Sequence, residues 1–293
     1  ITASYLNNRD RLGQYVKNRL LRIFPALIVC TTLTTVVLVF FGHVAADWRM
    51  VAWFAGQLGV LPIYNPEFLR GFGVGMPNGA LWTIPVELQF YAFVPLFFMV
   101  LAVLGVRESG RVWALVWVLL LSFVVYLWYG AADRTPLWMQ VFYISVLPHL
   151  WMFLLGSVAY LIWPHLKGAL QHYGLTWLVV YLAWCAFFAG DDLGISGMFI
   201  QKVLMACCVL AFSMPKVAHT LLGRNDISYG VYLYHMPVIN VCVTLGWVAD
   251  WRVFGVIVSV TGLLAWLSWR LVERPALARK QSNTAFAPAA ALR

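Results

Sequence analysis

Charge is what this sequence has least of. Asp, Glu, Lys and Arg together make up 11% of the 293 residues, less than half of the roughly 25% found in soluble globular domains. So few charges cannot solvate the surface of a chain this long, which excludes a water-soluble class. Metal-ligand spacing is absent as well. The five cysteines (Cys30, Cys185, Cys207, Cys208 and Cys242) all lie inside apolar runs, with neither a zinc-site pattern nor the composition of a small disulfide framework. They read as small apolar packing residues. There is no internal repeat, and the only low-complexity segment is an Ala-rich tail. Ile1–Leu6 lacks the form of a signal peptide, and the chain opens on Ile1 rather than Met, which reads as a fragment or a late start.

What the sequence has instead is apolar length. Sixty-two per cent of its residues are hydrophobic and its mean hydropathy is +0.81. Runs approaching the ~20 residues that cross a bilayer as a helix predict eight spans: Ile23–Gly42, Leu81–Val106, Val112–Gly130, Phe142–Trp163, Leu175–Ala189, Gly197–Phe212, Ser228–Val248 and Val253–Leu271. The fifth and sixth are short. The expected fold class is therefore all-α, a polytopic transmembrane helical bundle.

The net charge of +9 could point to nucleic acid, but its distribution points to topology. With these spans, fifteen of the twenty Lys and Arg fall on one side, and only Arg49, Arg70, Arg134, Lys202 and Arg252 on the other. Asp133, Asp191, Asp192 and Asp250 fall on that poorer side. Basic residues collect in cytoplasmic loops, so both ends of the chain are expected to be cytoplasmic, with no nucleic-acid partner. Making Met50–Tyr64 a ninth span would turn Arg107 and Arg111 outward, so it reads as an outer-face interfacial or re-entrant segment.

Four stretches are too polar or too patterned for inert helices. In Tyr15–Pro25, Arg19 and Arg22 are three apart and share a helix face. Paired guanidinium forks suit phosphate, and the same pair would also serve as a topology anchor among headgroups. In Pro77–Tyr91, Glu87 lies inside an apolar run, where a carboxylate needs a partner or a wet cavity, and Tyr91 follows one turn on. It is either a functional carboxylate or a structural one paired to a neighbouring helix. In Ile227–Pro237, His235 lies roughly 10 Å into its helix, with Tyr232 on the same face. An intramembrane His serves either as a hydrogen-bonding contact or as an acid–base group; His149, at a helix mouth, is the weaker candidate. In Leu271–Pro275, Arg274 anchors, Pro275 stops the helix and Glu273 is placed to pair with an arginine.

Together these stretches resemble the acyltransferase-3 family of membrane O-acyltransferases. That family shows R-x-x-R followed by Ile and Pro (here Arg19 to Pro25), then Asn…Leu-Trp-Thr…Glu…Tyr (Asn78 to Tyr91), then Ile-Ser-Tyr-Gly…Tyr-Leu…His…Pro (Ile227 to Pro237), and finally Glu-Arg-Pro after the last span. The order matches from residue 19 to residue 275. The family usually has ten spans, so the resemblance implies that two are missing at the start, with Ile1–Tyr5 similar to the tail of the family's second helix. The His that the family carries on its first helix has no counterpart here; neither His43 nor His235 replaces it, and the chain alone is expected to be inactive.

The resemblance implies a basic cytoplasmic segment at 1–22, a transmembrane acyltransferase domain at 23–275 and a cytoplasmic Ala-rich tail at 276–293, in a bacterial cytoplasmic membrane. It implies transfer of an acyl group, commonly acetyl, from cytoplasmic acyl-CoA to a hydroxyl of a surface carbohydrate, a lipid-linked glycan or a similar acceptor, without a metal. Arg19 and Arg22 would grip CoA. Glu87 would position or deprotonate a catalytic group or the acceptor hydroxyl, and His235 would line the tunnel or steer the thioester. Asn78, Trp82, Tyr91, Ser228, Tyr229 and Tyr232 would line the substrate path. A transporter or flippase for a lipid-linked sugar is the alternative, with the buried Glu and His as coupling groups; the inverted repeats of such proteins are not found.

Overall fold

A computed structural model describes residues 1–6, 12–133, 135–188, 194–212, 226–247 and 250–279. The segment after 279, most of the expected tail, lies outside the described residues, as do Arg134, Asp191, Asp192, Lys216 and Arg224. The described residues are helical and contain no strand. The helices are α1 Thr2–Leu6, α2 Leu12–Phe40, α3 Trp48–Ala55, α4 Thr83–Val103, α5 Glu108–Ala131, α6 Leu137–Tyr143, α7 Leu150–Leu161, α8 Trp163–His172, α9 Gly174–Phe187, α10 Gly194–Phe212, α11 Ser228–Thr244, α12 Trp251–Ser268 and α13 Arg274–Ala278.

Among the described residues, four helices are long and apolar enough to cross a membrane: Leu12–Phe40, Gly79–Val103, Gly110–Ala131 and Trp251–Ala278. A fifth is reached if α7 and α8, bent by 100° against each other, form one broken span. Shorter apolar helices include Gly174–Phe187 and Gly197–Phe212, and α11 has 17 residues. The protein is thus a polytopic membrane helical protein. The expected continuous span Phe142–Trp163 is replaced by turns up to His149 and a helix of 12 residues. Met50–Tyr64 holds the end of the 8-residue α3 and the π-helical turn Gly56–Val60 that follows it, together far short of a span.

The chain forms two compact units. The first comprises Ile1–Asn7 and Val86–Arg224, the second Asn8–Pro85 and Asn225–Arg293. In the second unit α11 packs along α12 and α2. Gly42, in the left-handed region at φ +73°, closes α2: its N–H bonds Val39 O and that of His43 bonds Leu38 O, the Schellman arrangement that a side chain at Gly42 would strain. Asp47 caps α3 by accepting the Arg49 N–H at 2.9 Å, and Asp250 caps α12 through Arg252 N–H at 2.9 Å; both are the expected N-cap residue type. Beneath α3 the fully buried Leu38, Trp53, Leu69 and Phe72 form one cluster.

In the first unit α5 packs on α7, and α9 on α10. The turns between α6 and α7 are held from a distance. Gln89 donates to Ile144 O (2.9 Å) and accepts from Val146 N–H (2.9 Å). Ser122 Oγ donates to Leu147 O (2.8 Å) and accepts from Trp151 N–H (2.9 Å). These bonds satisfy backbone groups that an apolar layer would otherwise leave orphaned.

Candidate active site

The second unit brings together most of the polar motif residues. Arg22 donates to Asp226 at 2.6 Å, and its guanidinium carbon lies 5.9 Å from the Tyr229 ring centre. Asp226 also accepts from Ser228 Oγ at 2.6 Å. Burial pushes the Asp226 carboxyl up, but the Ser228 hydrogen bond and the Arg22 charge outweigh it and hold the group below its ordinary value. Tyr229 Oη donates to Ile23 O at 3.0 Å, tying α11 to α2 one residue from Arg22. Arg19, one turn earlier, lies over the Tyr15 ring at 5.9 Å. The opposite side of α2 is an apolar groove of about 680 Å³, lined by Val16, Leu20, Phe24 and Ile28, with Lys17 among its walls.

Further along α11, Pro237 lacks the N–H that would bond Leu233 O in a regular helix. Asn78 Nδ2 at 3.0 Å and Cys30 Sγ at 3.3 Å take that carbonyl instead. Tyr232 Oη donates to Ala80 O and accepts from Thr83 Oγ1 at 2.5 Å. The turn Gly79–Trp82, with Trp82 half-buried, is thereby held at the start of α4. His235 Nδ1 lies 2.8 Å from Tyr232 O and 3.2 Å from Val231 O. Carbonyls only accept, so Nδ1 carries a proton.

The loop before Asn78 is fixed by residues that sequence reasoning passed over. Asn240, fully buried, accepts from Val74 N–H at 2.8 Å and donates to Met76 O and Pro77 O, each at 2.9 Å. Thr244 accepts from Gly73 N–H at 2.9 Å. Gly73 has φ +58°, and a Cβ there would come within 2.0 Å of Asn240 Oδ1. The available signal was Asn240 itself, an amide inside an apolar run. Asp226 could have been read as a cap two residues before Ser228, though not as the partner of Arg22.

Glu87 and Tyr91 belong to the first unit, and the Tyr91 hydroxyl donates to Glu87 Oε1. The expected one-turn relation is therefore a direct hydrogen bond. His149 is buried, with Nε2 2.9 Å from Tyr143 O. Glu273, 2% exposed, accepts from Ser268 Oγ at 3.1 Å. No arginine lies within 4 Å of it among the described residues, which corrects the expected arginine pair. Those residues also include no group of three or more His, Cys, Asp or Glu that could hold a metal ion.

The acyltransferase-3 family model, an acyltransferase domain, matches residues 1–270. The chain is 31% identical to nodulation protein 10 of Rhizobium leguminosarum bv. viciae over 304 residues, covering 97% of this chain and 80% of that protein. It is 26% identical to the O-acetyl transferase of Shigella phage Sf6, over 92% of this chain and 79% of the relative. It is 23% identical to the peptidoglycan O-acetyltransferase OatA of Listeria monocytogenes, over 92% of this chain and 47% of the relative. No solved structure matches the chain.

Proposed function

The chain belongs to the acyltransferase-3 family, and we propose from that premise that it is a membrane O-acyltransferase using acyl-CoA, commonly acetyl-CoA, as donor. The acceptor is a hydroxyl of a surface carbohydrate or a lipid-linked glycan, in keeping with the peptidoglycan O-acetyltransferase among its relatives. The enzyme sits in a bacterial cytoplasmic membrane as about eight spans, counting the shorter apolar helices, with both ends of the chain cytoplasmic as the basic residues favour.

The observation that carries this reading is the arginine pair at the start of α2. Arg22 already engages a carboxylate oxygen at 2.6 Å through one guanidinium nitrogen, the kind of charge-assisted contact that also takes a phosphate oxygen. Arg19 lies one turn away, so two cations face the side from which CoA arrives. Transfer breaks the thioester C–S bond, forms an ester C–O bond and moves the hydroxyl proton to the CoA thiolate. Glu87 serves as the carboxylate that orients or accepts that proton, with Tyr91 fixing its orientation. His235, its Nδ1–H committed to backbone carbonyls, offers Nε2 to the thioester path. Asn78, Trp82, Ser228, Tyr229 and Tyr232 shape the walls of that path.

The test is transfer itself. Protein expressed from its whole reading frame is placed in vesicles with acetyl-labelled acetyl-CoA and a membrane glycan extract. Release of CoA together with label in the glycan is expected. Folded protein that turns over no CoA with any extract would overturn the reading in favour of a transporter.

A further inference from the structure

We propose that Lys202 is the centre of a second site, within the membrane-embedded part of the first unit, that takes the phosphate of a lipid. Lys202 lies about 12 Å along α10 from its first residue, at 1.5 Å per residue, in the apolar run from Met198 to Cys208. A cation in such a place needs a partner. Among the described residues no carboxylate lies within 4 Å of it; the ion pairs there are Arg22–Asp226, Arg49–Asp47 and Arg111–Glu108.

What surrounds the ammonium is aromatic and donor-rich. It lies 4.5 Å from the Tyr126 ring centre and 5.9 Å from that of Trp151. Its one hydrogen bond among the described residues goes to Tyr126 Oη at 3.4 Å, although an ammonium carries three donors. Trp151, 1% exposed, has an indole N–H with no acceptor. The ring faces recover part of the hydration that the ammonium has lost, but they accept none of its remaining hydrogen bonds. An uncommitted cation beside an uncommitted N–H fits an anionic oxygen.

The walls are built to stay in place. Tyr126 comes from α5, Trp151 from α7 and Lys202 from α10. Trp151 packs against Phe123 and Phe199 at 5.6 and 5.4 Å, and its backbone N–H is held by Ser122. Lysine, as a compact point charge, suits a monodentate phosphate contact, and a half-buried head within an apolar helix is reached from the bilayer. The ligand is therefore a lipid that carries a phosphate: either a membrane phospholipid or the phosphate of a polyprenyl-linked species.

Native mass spectrometry in maltoside micelles, which contain no phosphate, tests this. Phosphatidylglycerol, a polyprenyl monophosphate, phosphate-free diacylglycerol and inorganic phosphate are titrated separately against wild type, Lys202→Met, Lys202→Arg and Trp151→Phe. One of the two lipid phosphates should bind at a single site, and Lys202→Met should weaken it about tenfold, as loss of a charge-assisted hydrogen bond does. Lys202→Arg should keep most of the binding, and Trp151→Phe, which keeps an aromatic face but removes the indole N–H together with part of the ring, should lose a smaller part. The lipid that shows the lysine dependence identifies the source. Equal binding by wild type and Lys202→Met overturns the site, as do binding of diacylglycerol with equal affinity and binding of inorganic phosphate without either lipid. If Lys202→Met does not fold, Trp151→Phe and Lys202→Arg carry the same comparison.

Discussion

The two units solve the same problem, holding helices together in lipid, by different means. In the second unit, side chains bond to backbone far away in the sequence: Asn240 to Met76 and Pro77, Asn78 to Leu233, Tyr229 to Ile23 and Tyr232 to Ala80. In the first unit, rings do most of the work. Phe90 stacks on Phe153 at 4.5 Å, Phe123 meets Phe199 at a tilt at 4.7 Å, and Tyr126 meets Trp151 at 5.4 Å. Burying apolar surface drives little association where the solvent is itself apolar. A polar strap specifies one arrangement, whereas stacked rings supply contact without a unique register. The unit with most of the motif residues is the strapped one, as expected of a part that must hold Arg22, Asn78 and Tyr232 in fixed places.

That contrast sets an order of expected effects. The largest belongs to Glu87, the carboxylate of the first unit that takes the Tyr91 hydroxyl. Glu87→Gln should cut acyl transfer by about 100- to 10,000-fold, the usual weight of general-base help, while circular dichroism stays unchanged. Transfer at the wild-type rate would remove Glu87 from the chemistry. Next comes the strap. Asn240→Ala strands one buried carbonyl, Pro77 O, and leaves the part-buried Val74 N–H and Met76 O without their partner, at up to about 1–3 kcal/mol for the buried group, and should lower the thermal midpoint. Gln89→Ala in the first unit strands one N–H and one carbonyl at more exposed turns, and should cost less. If Gln89→Ala proved the more damaging, the division between strapped and stacked units would fail.

Why some elements were legible and others were not follows from these bonds. The long runs that became α2, α4, α5 and α12 are apolar and uninterrupted, so hydropathy finds them. The run Phe142–Trp163 is equally apolar, yet its first part is turned. Gln89, some 55 residues away, and Ser122, some 25 residues away, take backbone groups at 144–147 that no regular helix pairs there. Glu87 and Tyr91 were readable as neighbours because a helix places residues four apart on one face. The pairing of Arg22 with Asp226 spans 204 residues, and no local period announces it. Lys202 was counted only as one of five outer-side cations, since its aromatic neighbours come from two other helices.

The smallest effect lies at that ion pair. Asp226 sits below its ordinary value in the folded protein. Its contribution is therefore complete above the unfolded carboxylate value near 3.9, and is lost as pH falls through the lower folded value. With both partners partly exposed, at 25% and 49%, Asp226→Asn should cost under about 1 kcal/mol. It should flatten the acid limb of the stability–pH profile, read by thermal unfolding between about pH 5 and 2. A profile that keeps its slope would place the acid sensitivity elsewhere.

The donor grip is the step on which the functional reading most depends. Steady-state transfer at varied acetyl-CoA, comparing wild type with Arg19→Ala and Arg22→Ala, measures it. Each substitution should raise KM for acetyl-CoA about ten- to a hundredfold, the weight of a hydrogen bond to a charged group, with kcat changed far less. An unchanged KM in both variants, with the protein folded and active, would mean that the arginines only anchor α2 at the membrane surface and that CoA binds elsewhere.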